Sequence, residues 1–248
     1  MPFVAKIAGF FKNFDYSILT FFNSFAGRSW YFDNLVHSVC DSTILKSGPL
    51  VALLWWFWFR PSHGQEKQKV RMQVISALAA AFVSLILARF LAFILPFRIR
   101  PIADAALSFR PPLGSTANPI MSWSAFPSDH AVLFFSLATS IWFISKRLGW
   151  IMFGWVLIII CLPRIYLGLH YPTDILTGIP IGITVAWLFD HQRVRDISAV
   201  PSMKWLNRSP AAFYACFFLL SYEVADLFEQ TRVVGRFVYL ALRHALNK

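Results

Sequence analysis

Charged residues are scarce in this sequence of 248 residues. Only 14% of them are Asp, Glu, Lys or Arg, whereas roughly a quarter is usual in a soluble domain. Hydrophobic residues make up 57% of the chain and aromatic residues 17%. A composition so poor in charge excludes an ordinary water-soluble domain and indicates a membrane protein.

Six stretches of the sequence contain little or no charge, and each is close to or slightly below the roughly 20 residues that cross a bilayer core. The links between them are mostly short, which leaves no room for a separate soluble domain. We therefore predict a single domain over 1–248, an all-α integral membrane bundle of five to six transmembrane helices. The predicted spans are 42–59, 72–95, 126–145, 148–163, 175–189 and, as either a sixth span or an interfacial helix, 211–228.

Residues 1–40 lack the pattern of a cleaved signal peptide, because no small-residue cleavage site follows an apolar core. Lys6, Lys12 and Arg28 lie instead among phenylalanines. Basic residues interspersed with aromatic ones are typical of helices that lie in the membrane interface. The sequence therefore predicts interfacial amphipathic helices at the N-terminus.

Cysteine is also scarce. Cys40, Cys161 and Cys216 are scattered, odd in number and without paired spacing. This pattern favours packing roles over a disulfide or a metal site.

Acidic residues are few, 12 against 23 Lys and Arg, which gives a formal net charge of +11. Such an excess can indicate nucleic-acid binding, but its distribution indicates topology. Alternate links contain ten basic residues, whereas the links 96–127 and 164–174 contain four. This is the positive-inside bias, which places 96–127 and 164–174 on the outer face and predicts no nucleic-acid partner. The ten are Arg60, Lys67, Lys69, Arg71, Lys146, Arg147, Arg193, Arg195, Lys204 and Arg208.

A sixth span at 211–228 would oppose this bias. It would place the basic residues of the C-terminal segment on the outer face, which is why an interfacial helix stays open as the alternative. These residues are Arg232, Arg236, Arg243 and Lys248.

The two outer links contain most of the unusual polar residues, beginning with "FPSDHA" at 126–131. Pro127 fits the first turn of a helix, because its missing N–H would have no partner there. A helix that begins at or beside Pro127 leaves the N–H groups of residues 128–130 free to bind an anion. The Ser128 hydroxyl and a protonated His130 can add further donors, with Asp129 in the first turn.

A second polar stretch, "LPRIYLGLHYPTD", covers 162–174. Pro172 is predicted to open a helix, which places His170 just outside it and Asp174 in its first turn. A carboxylate within reach of an imidazole fixes its tautomer and raises its basicity. Arg164, and Arg100 in "LPFRIRP", supply planar guanidinium groups suited to phosphate.

An anion held by two arginines beside two histidines suits phosphoryl transfer. His170 would attack phosphorus with Asp174 holding it, and His130 would protonate the leaving oxygen. Water would then cleave the phosphohistidine with His130 as base, so we predict no metal and no cofactor. A metal site at His170 and Asp174 is disfavoured, because Pro172 interrupts a continuous helix and no further ligand cluster completes a shell.

The motifs "RP" at 100–101, "PSDH" at 127–130 and Arg164 followed by "HYPTD" at 170–174 resemble the three signatures of the type 2 phosphatidic acid phosphatase (PAP2) superfamily. That family is metal-independent and includes membrane phosphatases that act on lipid phosphates. The resemblance implies His170 as nucleophile, Asp174 as its partner and His130 as acid. The implied phosphate ligands are Arg100, Arg164, Ser128 and the backbone N–H of Asp129.

Three positions depart from the family pattern. The lysine expected seven residues before Arg100 is Phe93, and Arg89 or Arg98 are candidates to supply the lost charge. The usual glycine of the second motif is Asp129, and the serine that normally precedes the arginine of the third motif is Pro163.

The resemblance implies a multi-pass lipid phosphatase of a bacterial-type inner (cytoplasmic) membrane, with its site facing the periplasm or exterior. The expected substrate is a lipid phosphate or diphosphate within the bilayer. Undecaprenyl diphosphate is favoured over phosphatidylglycerol phosphate and phosphatidic acid, and vanadate is expected to inhibit. Two alternatives stay open: a phosphotransferase to a sugar acceptor, and a non-catalytic lipid-phosphate binder or transporter. The sequence does not indicate whether the protein is a monomer or an oligomer.

Overall fold

The computed structural model describes residues 2–61, 63–115 and 123–229, with residues 237 and 243, and these ranges contain helices and no strand. The all-α prediction is confirmed for this part of the chain. Arg232, Arg236, Lys248 and the Lys6 side chain lie outside the described residues. The helices are α1 (Pro2–Asn23), α2 (Trp30–Asp41), α3 (Thr43–Phe59), α4 (Gly64–Ile94), α5 (Asp129–Ile144), α6 (Lys146–Trp155), α7 (Leu162–Tyr166), α8 (Pro172–Asp190), α9 (Gln192–Arg208) and α10 (Pro210–Ala225).

Three helical segments are long and apolar enough to cross a membrane. They are α4, α8 and the continuous run Lys146–Tyr166, in which a π-helical stretch at Val156–Cys161 joins α6 to α7. The helices α3, α5 and α10 are apolar but shorter, with 17, 16 and 16 residues. Each predicted span thus coincides with an apolar helix, and the number of five to six transmembrane helices stays a prediction.

Two helices, α1 and α2, occupy the region predicted to be interfacial. They expose aromatic side chains, among them Phe10 at 66% and Tyr31 at 81%. Exposed aromatics are suited to the headgroup region of a membrane. The interfacial position of these helices stays a prediction.

A buried carboxylate, Asp33, ties α2 to the rest of the bundle. It accepts hydrogen bonds from the N–H groups of Gly27 at 2.9 Å and Leu113 at 2.8 Å, and from the Tyr166 hydroxyl. Burial acts to raise the pKa of Asp33, but these hydrogen bonds outweigh it and lower the pKa below its ordinary value. Asp33 therefore stays ionised and holds α2 against α7.

Helix α5 lies at the centre of the bundle, in contact with α3, α4, α6 and α8. All of its side chains from Ala131 to Ile141 are buried. A helix surrounded on every side by other helices is apolar all round, which explains why α5 shows no amphipathic pattern in the sequence.

Two glycines, Gly178 and Gly182, let α8 approach α5 closely. A Cβ atom at Gly182 would lie 2.3 Å from the Val132 carbonyl oxygen, and one at Gly178 would lie 2.8 Å from the Ala131 Cβ. Small residues four apart permit such backbone contact between membrane helices. The contact brings the first turns of the two helices together, and the Ser128 N–H donates to the Asp174 carbonyl at 3.2 Å.

We expect Gly182→Ala to destabilise the protein by about 1–3 kcal/mol, because the added methyl group must push the α5 backbone away. Gly154→Ala in α6 is the matched control, since a Cβ there meets nothing within 4 Å. The control should be neutral or stabilising, by up to about 1 kcal/mol, because alanine favours helix over glycine. Thermal unfolding in detergent distinguishes them, and equal midpoints for the two variants would contradict this account of the α5–α8 contact.

Candidate active site

The predicted site residues come together where α5 and α8 begin. The Arg100 Nη1 donates to the Leu169 carbonyl at 2.8 Å, and the His170 Nδ1 lies 2.8 Å from the Ala125 carbonyl. These contacts join three segments that are distant in sequence, around 100, 125–130 and 164–174. The seven predicted residues therefore share one end of the bundle.

Helix α5 begins beside Pro127, as predicted, but Pro127 itself is not in its first turn. The helix begins at Asp129, with Ser128 as its N-cap, so Pro127 lies two residues before the helix and not in its first turn. The physical reason is that the Ser128 Oγ accepts from the Ala131 N–H at 3.5 Å, an interaction that proline cannot make.

Two of the three N–H groups predicted to bind an anion are already occupied. The Ser128 N–H donates to Asp174, and the His130 N–H donates to the Asp129 Oδ1 at 2.8 Å. Within the described part of the chain, the Asp129 N–H makes no hydrogen bond. It is the backbone group that the family resemblance implies as a phosphate ligand.

His130 is held by its neighbour Asp129. Its Nδ1 lies 2.8 Å from the Asp129 Oδ1, and the other carboxylate oxygen of Asp129 forms an ion pair with Arg89 of α4. The Arg89 guanidinium also lies 4.9 Å from the centre of the Trp123 ring. The Asp129 carboxylate thus orients the His130 ring through Nδ1, a role that the sequence did not indicate.

His170 is 3% exposed, and its ring is oriented by the Ala125 carbonyl. Because the Ala125 carbonyl can only accept a hydrogen bond, the nitrogen facing it, Nδ1, carries the proton. The other nitrogen, Nε2, then has the lone pair that a nucleophile needs. The helix boundary at Pro172 is as predicted, with His170 just outside α8.

Asp174 lies 3.7 Å from the His170 Nδ1, beyond hydrogen-bonding distance. Both of its oxygens have other donors, the Arg98 Nη1 at 2.5 Å and the Tyr171 N–H at 2.7 Å. The charge of Asp174 therefore acts on the imidazole across a short gap, and the group that fixes the His170 tautomer is the Ala125 carbonyl, not the carboxylate as the sequence suggested.

Arg98 does not take the place of the missing lysine as a free cation. Its guanidinium binds Asp174 and also Asp15, the latter at 2.6 Å, and lies 4.0 Å from the centre of the Tyr171 ring. Asp15 was missed by sequence reasoning. The available signal was that Asp15 is the single acidic residue in the apolar helix α1.

Arg100 and Arg164 have a different environment from Arg89 and Arg98. They are 7% and 5% exposed, and each donates to a backbone carbonyl, that of Leu169 or of Ile160 at 3.1 Å. Among the described residues, neither has a carboxylate within 4.0 Å, and the Arg100 Nε is buried without a hydrogen-bond partner.

Burial is costly for such guanidinium groups. It lowers the pKa of Arg100 below its ordinary value, against the opposite effects of Asp129 and Asp174. A buried charge without a counter-ion destabilises the fold unless a ligand supplies one. Arg100 and Arg164 are therefore buried guanidinium groups without a carboxylate counter-ion among the described residues.

No three His, Cys, Asp or Glu side chains form a group suited to a metal ion in the ranges that the structure describes. The three cysteines are free. Metal independence of the chemistry stays a prediction.

The sequence also matches a known family. The model of the PAP2 superfamily matches residues 72–197, just over half of the chain, and this protein belongs to that superfamily. Membership agrees with the resemblance of the three motifs and with the apolar helices, which are consistent with a multi-pass membrane protein.

Two curated relatives are similar over part of their length. The bacitracin transport permease protein BcrC of Bacillus licheniformis is 37% identical over 65 residues, 25% of this chain and 30% of that protein. The chain thus matches under a third of the length of that relative. The undecaprenyl-diphosphatase BcrC of Bacillus subtilis (strain 168) is 21% identical over 177 residues, 71% of this chain and 82% of that one.

Two solved structures are also similar. The crystal structure of LpxE from Aquifex aeolicus has a TM-score of 0.47 and 24% identity, with 70% of this chain and 92% of that chain covered. The first transmembrane PAP2 type phosphatidylglycerolphosphate phosphatase from Bacillus subtilis has a TM-score of 0.47 and 19% identity, with 72% and 83% covered.

Proposed function

We propose that this protein is a membrane lipid phosphatase that cleaves a lipid phosphate or diphosphate through a phosphohistidine intermediate. The observation that carries the proposal is the pair of buried guanidinium groups of Arg100 and Arg164, which have backbone partners and no carboxylate partner among the described residues. They lie beside His170, whose Nε2 is available for attack.

The first half of the reaction forms a bond between phosphorus and nitrogen. Arg100, Arg164, the Ser128 hydroxyl and the Asp129 N–H hold the phosphoryl oxygens and neutralise their charge. The His170 Nε2 attacks phosphorus, and the bond from phosphorus to the leaving oxygen breaks. Protonated His130 donates its Nε2 proton to that oxygen.

The second half of the reaction restores the enzyme. His130, now neutral, takes a proton from water, and the resulting hydroxide attacks phosphorus. The bond from phosphorus to the His170 Nε2 breaks, and inorganic phosphate leaves. Throughout, the Asp174 carboxylate stabilises the positive charge that develops on the His170 imidazole.

Undecaprenyl diphosphate is the proposed substrate, with phosphatidylglycerol phosphate and phosphatidic acid next. The B. subtilis relative that covers 71% of this chain is named an undecaprenyl-diphosphatase, which supports this order. The proposed location is a bacterial-type inner membrane, with the site on the outer face, as the distribution of basic residues indicates.

A lipid-phosphate binder or transporter is the second candidate function. The first curated relative is named a transport permease, and the anion site alone would serve such a protein.

Transfer of the phosphoryl group to a sugar acceptor uses the same site and differs in that the sugar, instead of water, attacks the phosphohistidine. A saturable effect of an acceptor on phosphate release would indicate that reaction.

Phosphate release by the detergent-purified protein tests the proposal. Each of the three lipids is offered with and without EDTA and with and without vanadate. We expect release that is fastest from undecaprenyl diphosphate, unaffected by EDTA and inhibited by vanadate. No release from any of them, with lipid binding intact, would favour the binder or transporter.

We expect Asp129→Asn to lower kcat by about 100-fold with little change in KM. The variant keeps the backbone N–H but loses the charge that pairs with Arg89 and holds His130, and a general acid typically contributes about 10²–10⁴-fold. Asp190→Asn is the matched control, because Asp190 pairs with Arg195 at the other end of α8. Similar kcat values for the two variants would contradict the role of Asp129.

A further inference from the structure

The N-terminal helix α1 contributes a buried carboxylate to the site. Asp15 is 1% exposed, although α1 contains no other acidic residue and exposes several phenylalanines. It accepts hydrogen bonds from the Thr173 N–H at 2.9 Å, from the Thr173 Oγ1 at 2.6 Å and from the Arg98 Nη2 at 2.6 Å. A carboxylate buried this completely needs such partners to stay ionised.

Arg98 connects Asp15 to the histidine. One end of its guanidinium, Nη2, binds Asp15, and the other end, Nη1, binds the Asp174 Oδ1 at 2.5 Å. The second Asp174 oxygen, Oδ2, is the one that lies 3.7 Å from the His170 Nδ1. The four side chains therefore form a continuous chain of alternating charge from α1 to the imidazole.

We propose that Asp15 is a positioning residue for His170: it holds Arg98 so that Asp174 keeps its orientation and its effective negative charge beside the imidazole. The inference rests on the proposed function. Shared between two carboxylates, Arg98 neutralises only part of the Asp174 charge. Without Asp15, the full positive charge of Arg98 acts on Asp174, and less negative charge remains to stabilise the imidazolium that forms during attack.

Other charged groups also face His170 and remain in place when Asp15 is changed. Asp129 interacts electrostatically with His170. Arg100 donates a hydrogen bond to the carbonyl of Leu169, the residue before His170. Asp174 and Arg164 in turn interact electrostatically with Arg100. The titratable and charged groups around the imidazole are Asp174 on α8, Asp129 and His130 on α5, Arg164 on α7, and Arg98 and Arg100 on the link after α4.

The test is Asp15→Asn, which keeps the side-chain shape and an oxygen that can accept from Thr173. We expect kcat to fall by about 10-fold to 100-fold, because a small displacement of a reacting group has effects of this size. KM should change by less than about 2-fold, since the phosphate ligands are untouched.

Asp33→Asn is the matched control. Asp33 is also a fully buried carboxylate with three hydrogen-bond donors, and it joins α2 to the bundle without contact with His170. Asp33→Asn should lower the melting temperature and leave kcat per folded molecule unchanged. If Asp15→Asn also lowers only the melting temperature, Asp15 has a purely structural role and the inference is wrong.

Vanadate binding provides a readout that needs no turnover. Orthovanadate can accept a bond from the His170 Nε2 and become five-coordinate, whereas inorganic phosphate forms no bond to this nitrogen and is held only through its oxygens. We expect Asp15→Asn to weaken vanadate binding by about 10-fold and phosphate binding by less than about 2-fold. The two ligands differ because five-coordinate vanadate resembles the transition state, whereas phosphate does not. If Asp15→Asn leaves the ratio of the vanadate and phosphate affinities unchanged, the inference about Asp15 is wrong. This test does not require hydrolysis of any lipid. Failure to hydrolyse every tested lipid would instead contradict the proposed function.

Discussion

Replacing His170 with alanine should lower kcat for phosphate release by at least about 10⁴-fold. The side chain supplies the atom that forms the bond to phosphorus, and loss of a nucleophile typically removes four or more orders of magnitude. Because the His170 side chain is buried and packs beside Ala125, the variant leaves a small cavity and keeps both arginines. Steady-state phosphate release, corrected for the folded fraction, gives the ratio.

His191→Ala is the control for the loss of an imidazole. His191 is exposed and precedes α9 at the opposite end of α8 from the site. Its replacement should leave kcat within about 2-fold of the wild type, as is usual for surface positions. Activity of His170→Ala above about 1% of wild type would show that water or another residue attacks phosphorus directly.

Replacing Arg164 with alanine should lower kcat/KM by about 10³-fold. Its guanidinium is buried and has backbone partners only among the described residues, so it is available for the phosphoryl oxygens in both the ground state and the transition state. Removal of one preorganised donor typically costs about 10²–10³-fold in kcat. Arg164→Lys should recover part of this loss, because lysine keeps the charge but lacks the planar fork.

Arg195→Ala is the control for the loss of a guanidinium. Arg195 pairs with Asp190 at 3.3 Å, far along α8 from the first turn, and should be dispensable for activity. If Arg164→Ala keeps the wild-type affinity for inorganic phosphate, the assignment of the anion site to Arg100 and Arg164 is wrong.

The His170 and Arg164 variants together separate the two candidate functions. A phosphatase loses turnover in both variants but loses phosphate binding only in Arg164→Ala. A binder or transporter loses function in Arg164→Ala and keeps it in His170→Ala, because it has no use for a nucleophile.

The positions of the helices could be predicted from the sequence, because a membrane helix needs a local run of apolar residues of known length. Helix ends were harder to predict. Helix α4 begins at Gly64, eight residues before the apolar window, because polar residues can continue a helix into water. Helix α5 begins after Ser128 because the Ser128 side chain caps it, accepting a hydrogen bond from the Ala131 N–H.

The candidate site was partly predictable. His130, His170, Arg100 and Arg164 belong to short motifs whose chemistry is local, and the structure brings them to one end of the bundle. The partners of Arg89 and Arg98 could not be predicted, because they depend on tertiary packing. Arg98 meets Asp15 across 83 residues of sequence, and no local pattern indicates that distance.

The orienting role of the Asp129 carboxylate could not be predicted either, because it also depends on tertiary packing. Its effect depends on Arg89, which reaches it from α4, and on the rotamer of His130. Sequence reasoning could place Asp129 in the first turn of a helix but could not show where its side chain points.

Rapid-quench trapping of the phosphoryl group on the protein tests whether His170 forms a phosphohistidine. Wild-type protein is mixed with undecaprenyl diphosphate that carries a radiolabelled terminal phosphate, in EDTA, and quenched in alkali within a single turnover. We expect protein-bound label that is stable to alkali, labile to acid and absent from His170→Ala. Single-turnover release of phosphate at the full rate with no label on the protein would contradict the phosphohistidine mechanism.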